Sequence, residues 1–307
     1  MQRPKKTLSR RQLMAAVGPL GLAYLSACLF LISRQRQLIY RPQPELSMLP
    51  SAPEFNLPYE DVWIPIADSE EKLNGWWIPA PLPQEKYAVL EGEPAQILKS
   101  PGVMLYLCGV GRNMGDYNYL ARVSAFRQLG FSVLVFDYRG YGRSVGSLPN
   151  ELQLYADSQA AWGYLREVRQ VPSEQVLVYG ESMGGAIALN LAVKHPEAGG
   201  LIMQSSFTSM TEAVRQKAFS RLFPIGLILT EQFDSLSKVK ALRVPVLFLH
   251  GSADPVVPAE MSQQLYAAAP EPKQLFLIPE AEHVSIYQPG EASYLQAIER
   301  FVETLHQ

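Results

Sequence analysis

Cysteine is scarce in this chain of 307 residues, which contains only Cys28 and Cys108. The two lie in regions of different character, so we expect no internal disulfide and no cysteine-based metal site. The sequence also lacks internal repeats and low-complexity segments, and no motif in it implies a metal or an organic cofactor. A chain of this length that is 48% hydrophobic is long enough to bury one large core.

Acidic residues are missing from the first 36 positions, which hold seven of the 27 basic residues. The remainder therefore carries 20 basic residues against all 29 acidic ones, a net charge of −9. Nucleic-acid binding relies on clustered lysine and arginine that neutralise phosphate groups. This balance excludes nucleic acid as an expected partner of the main part of the chain.

Charge of either sign is absent from residues 13–32, a run of 20 residues preceded by five basic ones. This length as a helix spans about 30 Å of hydrocarbon, and the basic flank predicts a cytoplasmic N-terminus. We therefore expect a membrane-associated protein with a single-pass anchor at 13–32 and a domain on the non-cytoplasmic side. "SRRQLM" (9–14) and "LSAC" (25–28) leave open a twin-arginine export signal and a lipoprotein with lipidated Cys28, and a buried core helix is the fourth alternative.

Three parts follow from these patterns: a basic and hydrophobic N-terminal segment (1–36), a proline-rich linker (37–60) and a catalytic domain (61–307). Two short aromatic and β-branched segments at 62–66 and 75–79 predict an antiparallel pair of strands. Continuous apolar runs then predict parallel strands covered on both faces, at 103–108, 132–136, 176–180, 200–205, 244–250 and 274–279. Amphipathic stretches predict helices near 117–129, 152–169, 183–194, 258–269 and 290–305.

The stretch "VLVYGESMGGAIALNLA" (176–192) places Ser182 between a predicted strand and a predicted helix. Its G-x-S-x-G pattern, in this context, is the nucleophile elbow of serine hydrolases. Gly180 and Gly184 leave room for the turn, and the helix start directs the Met183 amide toward a developing oxyanion. The alternative is an ordinary glycine-rich turn.

A serine nucleophile needs a histidine base and an acid, which follow the elbow in the order acid, then histidine. His283 lies in a loop after the last predicted strand, and Asp254 lies in the loop after the preceding one. Asp234 is the rival acid, but it precedes its strand. The alternatives are a surface histidine at position 283 and a helix-capping aspartate at position 254.

The loop after the strand at 103–108 should supply the second oxyanion donor. We assign this role to the amide of Val110, which Gly109 and Gly111 flank. Cys108, at the end of that strand, is either a small buried residue or a reactive thiol; we favour the former.

Several segments in order carry a family resemblance: "DYRGYGRSVG" (137–146), "YGESMGGAIAL" (179–189), "QSSFTSM" (204–210) and "FDSLSKVKALRVPVLFLHGSADPVVP" (233–258), with the His283 loop. Over about residues 38–305 the chain resembles α/β-hydrolases of the membrane-anchored group that includes palmitoyl-protein thioesterase-like and lysophospholipase-like members. The resemblance implies an α/β-hydrolase fold with a small cap, and structural roles for Asp137 and Arg139. The group usually has His-Gly-Asn where this chain has Cys108-Gly109-Val110.

We therefore predict a serine hydrolase that cleaves carboxylic esters or thioesters of small-molecule or lipid-like acyl substrates through an acyl-enzyme, with no cofactor. The alternatives are a peptidase of the same fold and a non-catalytic binding module. An apolar patch is a candidate acyl groove, although core packing is the favoured interpretation of its residues, which are Phe207, Leu222, Phe223, Ile225 and Leu229.

Overall fold

The structure is a computed structural model that describes residues 10–67, 69–82, 102–287 and 292–305, with the backbone alone for residues 10–17. Within these ranges eight strands form one sheet. The strands are β1 (Glu60–Pro65), β2 (Lys72–Ile78), β3 (Val103–Leu107), β4 (Ser132–Phe136), β5 (Val176–Glu181), β6 (Gly200–Gln204), β7 (Val246–Gly251) and β8 (Lys273–Ile278). Each of the predicted strands overlaps one of them.

The sheet has the strand order β1-β2-β4-β3-β5-β6-β7-β8. The first two strands pair antiparallel, as predicted, and β2 also runs antiparallel to β4. From β4 to β8 every pairing is parallel. The carboxyl ends of these six parallel strands therefore meet along one edge, and ligands of open α/β sheets bind outside that edge.

Helices cover both faces of the sheet. The longer ones are α1 (Arg10–Tyr40), α2 (Tyr117–Gln128), α3 (Glu151–Gly163), α4 (Met183–Lys194), α8 (Ala259–Ala268) and α9 (Ala292–Thr304), and the short ones are α5 (Met210–Arg215), α6 (Ile225–Ile228) and α7 (Ser235–Lys238). The first residues of the helix predicted from 290 lie outside the described residues. The predicted helix at 152–169 is α3 followed by a π-helical turn at Tyr164–Val168.

The two faces of the sheet bury two separate apolar clusters, because side chains alternate along each strand. In β3, Leu105 and Leu107 pack with α3, α4 and α8 on one face. Met104 and Tyr106 pack with α2 and α9 on the other. This double burial explains why the parallel strands appear in the sequence as unbroken apolar runs.

The segment between β6 and β7 carries the short helices α5, α6 and α7 and two 3₁₀ turns, Ala218–Leu222 and Val239–Ala241, so the cap is small, as expected. Of the candidate acyl-groove residues in it, Phe207, Ile225 and Leu229 belong to the buried core, and Phe223 packs against that core. Leu222 is 68% exposed. These positions therefore support the core-packing interpretation of the patch.

The N-terminal helix α1 continues through Tyr40, past residue 36, into the range predicted as a linker. The Tyr24 ring stacks on Phe223 with the ring centroids 5.8 Å apart. Gln35 binds the segment after α6 through the carbonyl of Ile228 and the amide of Thr230. Among the residues with described side chains, no helix has the length and apolar character that crossing a membrane requires.

Candidate active site

Ser182 occupies the sharp corner between β5 and α4. Its backbone has φ 54° and ψ −119°, a strained conformation that costs about 1–3 kcal/mol in a residue with a side chain. The corner is tight because a Cβ at Gly180 would overlap the Gly184 carbonyl oxygen, and a Cβ at Gly184 would overlap that of Leu107. The two glycines thus hold the serine at the carboxyl edge of the sheet, as the elbow pattern predicts.

The structure brings Ser182, His283 and Asp254 into one hydrogen-bonded chain. His283 Nδ1 lies 2.6 Å from Asp254 Oδ2, and His283 Nε2 lies 3.2 Å from Ser182 Oγ. A carboxylate only accepts hydrogen bonds, so Nδ1–H donates to it and Nε2 of the neutral ring accepts from the serine hydroxyl. This is the tautomer in which an imidazole can take the proton of the serine.

The two carboxylate oxygens of Asp254 have different hydrogen-bond partners. Oδ1 accepts hydrogen bonds from the amides of Val256 and Val257, at 2.8 and 2.9 Å, and Oδ2 faces His283. Burial acts to raise the pKa of this carboxyl, but hydrogen bonds with His250 and His283 outweigh burial and hold the pKa below the usual range. Asp254 is therefore ionised at neutral pH.

The rival acid, Asp234, lies elsewhere. Its carboxylate accepts a hydrogen bond from the Ser237 amide at 3.1 Å and caps the short helix α7. Capping of this kind satisfies backbone donors that a helix start leaves free. Of the two candidate acids, Asp254 therefore contacts His283, whereas Asp234 caps a helix.

His250 stands directly behind Asp254 and was not predicted to belong to the site. Its Nε2 lies 2.8 Å from the Val257 carbonyl oxygen, to which it must donate, and 3.2 Å from Asp254 Oδ2. Its Nδ1 accepts from the Ser262 hydroxyl at 2.6 Å. The only sequence feature that could have indicated a role for His250 in the site was its position at the end of β7, four residues before Asp254.

Two backbone amides near Ser182 lack an acceptor among the described residues. Met183 is the first residue of α4, so its N–H has no acceptor within that helix. Val110 follows β3 and lines the same cavity as Ser182 and His283. Neither amide donates a hydrogen bond to another described residue. Both are thus available to an oxyanion, where we predicted donors.

The N-terminal segment holds the loop that carries Val110. The Gly111 amide donates to the Tyr40 carbonyl oxygen at 2.9 Å, and that oxygen also accepts from the Tyr141 hydroxyl at 2.5 Å. Asn113 Nδ2 donates to the carbonyls of Gln43 and Glu45, at 3.1 and 2.6 Å. Residues 40–45, placed by sequence in a linker, thus shape the predicted oxyanion loop.

Cys108 and Asp137 behave as buried structural groups. Burial, with the Glu181 and Asp137 carboxylates nearby, raises the pKa of the Cys108 thiol, so it stays protonated and unreactive. Asp137 Oδ1 accepts from the Met114 amide at 2.7 Å, and burial raises the pKa of this carboxyl to about 7. Arg139 pairs with Asp157 at 2.6 Å, away from Ser182.

The remaining histidine of the described residues, His195, contacts Glu197 and Gln159 and stacks on the Trp162 ring. His306 lies outside the described residues. Of the described histidines, His283 is therefore the one that reaches Ser182.

A buried ion pair adjoins the nucleophile, and sequence reasoning missed it. Glu181, the residue before Ser182, accepts from Arg122 Nε at 2.8 Å and from the Tyr106 hydroxyl at 2.7 Å. A glutamate at the end of an otherwise apolar strand was the available signal, since a charge there needs a partner. The partner, on α2, lies 59 residues away in the chain and could not be read from the motif.

A family match accords with this geometry. The family described as serine aminopeptidase, S33, matches residues 99–232 and 228–289, more than half of the chain. The chain belongs to this family of hydrolases. As a family member it shares the α/β-hydrolase fold, with a mostly parallel sheet flanked by helices.

Relatives of this S33-family hydrolase extend over most of its length. Rv2307c of Mycobacterium tuberculosis is 32% identical over 297 residues, which are 96% of this chain and 97% of that protein. Bem46 of Schizosaccharomyces pombe is 31% identical over 272 residues, 83% of each protein. The Pyrococcus furiosus esterase Pf2001 matches with a TM-score of 0.67 at 19% identity, covering 88% of this chain and 98% of the esterase. This likeness shows the fold. The narrower resemblance to palmitoyl-protein thioesterases and lysophospholipases stays a prediction.

Proposed function

We propose that this protein is a serine hydrolase that cleaves carboxylic esters or thioesters through an acyl-enzyme. The hydrogen-bonded chain from Ser182 Oγ through His283 to Asp254, at 3.2 and 2.6 Å, carries the proposal. An ordinary turn or a binding module has no need of a strained serine aligned with a histidine of the correct tautomer.

In the proposed reaction, Ser182 Oγ attacks the substrate carbonyl while His283 Nε2 takes its proton. Asp254 orients His283 and stabilises the imidazolium that forms, because it is ionised and lies next to Nδ1. The Met183 and Val110 amides stabilise the negative oxygen of the tetrahedral intermediate. His283 returns the proton to the leaving group, and water then releases the acyl group by the same steps.

The described lining of the site favours small acyl groups. The cavity at Ser182 measures about 70 Å³ and is lined mainly by polar and backbone groups. None of the predicted groove residues Phe207, Leu222 and Ile225 lines it. The residues around Ser182 therefore do not support the expected preference for lipid-like acyl chains. We propose esters and thioesters of small molecules as substrates.

Membrane association is a separate proposal, and it rests on residues 13–32. Side chains of the helix in this range are exposed although they are apolar, among them Leu20, Leu22, Leu25, Leu29 and Phe30. Such a surface, preceded by five basic residues, suits an anionic lipid membrane. Flotation of the full chain with anionic and with neutral vesicles tests it. Recovery of the protein in the lipid-free fraction with both vesicle types would contradict it.

The test of activity compares turnover of p-nitrophenyl acetate, an acyl thioester and an aminoacyl p-nitroanilide by the full chain and by Ser182→Ala. We expect ester and thioester turnover well above amide turnover, and a loss on the order of 10⁶-fold in the variant. Turnover that persists in Ser182→Ala would overturn the proposal.

Peptidase activity is the second candidate, and the family description, serine aminopeptidase, favours it. The nucleophile elbow does not specify the acyl group, since esters and amides share the tetrahedral intermediate. A rate on the aminoacyl p-nitroanilide equal to or above the ester rate would replace the esterase proposal with this one.

A further inference from the structure

One side-chain donor of Arg122 has no acceptor among the residues that the structure describes. The residue is 1% exposed, with Nε bonded to Glu181 and Nη1 bonded to the Asn118 carbonyl. Its Nη2 forms no hydrogen bond within the part of the chain that the structure describes. This nitrogen is not among the buried polar atoms of the described residues that lack a partner, and Arg122 lines the adjoining cavity, so the donor can bond a molecule that occupies that space.

Tyr119, one turn earlier on α2, presents a second unused donor. The residue is 4% exposed, and among described residues nothing accepts a hydrogen bond from its hydroxyl. A Cβ at Gly109 would lie 3.1 Å from this hydroxyl oxygen and 3.5 Å from the Ser182 Cβ. The Tyr119 hydroxyl and the nucleophile Ser182 thus lie on opposite sides of the space that Gly109 leaves open.

Both donors line the cavity that contains Ser182, Val110 and His283. Its charged groups are paired: Arg122 with Glu181 at 2.8 Å, and Arg112 with Asp116 at 2.5 Å at its more exposed side. The lining is therefore neutral overall while it offers unpaired donors. A neutral oxygen acceptor suits this combination better than a hydrocarbon chain or an isolated anion.

We infer that Tyr119 and Arg122 form a subsite that donates hydrogen bonds to an ether or hydroxyl oxygen in the acyl group of the substrate. This inference rests on the proposed hydrolase function and narrows its substrate class to esters and thioesters of short acids that carry such an oxygen near the carbonyl. A site built to bond an oxygen discriminates against analogues that lack it, because its buried donors are then left without partners.

The test compares p-nitrophenyl methoxyacetate with p-nitrophenyl butyrate, which has a methylene group in place of the ether oxygen. The ratio of kcat/KM for these two esters is measured in the wild-type full chain and in Tyr119→Phe. Intrinsic differences in ester reactivity are the same for both proteins, so they cancel when the two ratios are compared. We expect the ratio to fall about tenfold in Tyr119→Phe, the effect of one hydrogen bond, with butyrate turnover nearly unchanged.

Tyr117→Phe is the matched control, since Tyr117 lies on the same helix with 46% of its surface exposed; it should keep the wild-type ratio. Thermal unfolding checks that Tyr119→Phe is folded, which we expect because its hydroxyl bonds none of the residues that the structure describes. An unchanged ratio, or an equal loss on both esters, would overturn the inference and leave the hydrolase standing. Failure of the wild type to turn over either ester would overturn both.

Discussion

The two sides of Ser182 are held in different ways. On the acid side, the loop after β7 stabilises itself: Asp254 binds the amides of Val256 and Val257, and His250 bonds the carbonyl of Val257. All of these partners lie within eight positions of one another. The start of the loop is also bonded to the neighbouring strand region, where the amides of Ser252 and Ala253 donate to the carbonyls of Ile278 and Ala281, but the bonds to the amides that hold the Asp254 carboxylate are local.

On the oxyanion side, the loop after β3 depends on distant chain. Gly111 bonds Tyr40, and Asn113 bonds the carbonyls of Gln43 and Glu45. The two sides therefore differ in what disturbs them. Changes to the acid side should act on chemistry, whereas changes far along the chain should reach the oxyanion side through its support.

Among changes to the two sides of Ser182, the largest effect is expected from Asp254→Asn on the acid side. An amide at this position favours the wrong tautomer of His283, so kcat should fall about 10⁴-fold while the fold is kept. Ester kinetics with circular dichroism check this. A loss of less than tenfold would show that Asp254 does not orient the base.

Asn113→Ala tests the distant support of the oxyanion side. Loss of its bonds to the Gln43 and Glu45 carbonyls and to the Gly115 amide should lower kcat about tenfold with KM little changed, and should cost about 1–3 kcal/mol of stability because Asn113 is a buried, fully bonded side chain. The control is Asn150→Ala, which removes the capping box of α3 and costs about 1 kcal/mol. Equal kcat in Asn113→Ala and Asn150→Ala would contradict the proposal that residues 43–45 support catalysis.

The two sides should also respond differently to pH. Burial raises the pKa of Asp137 to about 7, so the folded state holds this proton more tightly than the unfolded state does. The associated stability is complete below about pH 4 and is lost as pH rises through about 7. Asp254, with its lowered pKa, stays ionised throughout the neutral range.

Asp137→Asn should therefore flatten the decline of stability between about pH 4 and about pH 7. Chemical denaturation of the variant and of the wild type at several pH values measures the difference. A decline of the same size in both proteins would assign the pH dependence to another group.

The smallest effect is expected for Asp234→Asn. Asparagine caps a helix as well as aspartate does, so kcat should stay within about twofold of the wild type. A large loss of activity would support Asp234, and not Asp254, as the acid of the site.

The features that the sequence predicted are local in the chain, and the features that it missed are contacts between distant residues. The strands, the elbow and the order of Asp254 and His283 follow from local patterns: apolar runs, glycine spacing and chain order. The continuation of α1 to Tyr40 and its bond to Gly111 were not predictable, because neither residue carries a local signal for the other. The pairing of Arg122 with Glu181 could not be predicted either, because neither residue carries a local signal for the other.

Labelling of the purified full chain with a fluorophosphonate probe, with the modified peptide identified by mass spectrometry, shows whether Ser182 is an activated nucleophile. We expect a single adduct on Ser182 that is absent from Ser182→Ala and strongly reduced in His283→Ala. Folded wild-type protein that stays unlabelled, or an adduct on another residue, would contradict the assignment of Ser182 as an activated nucleophile.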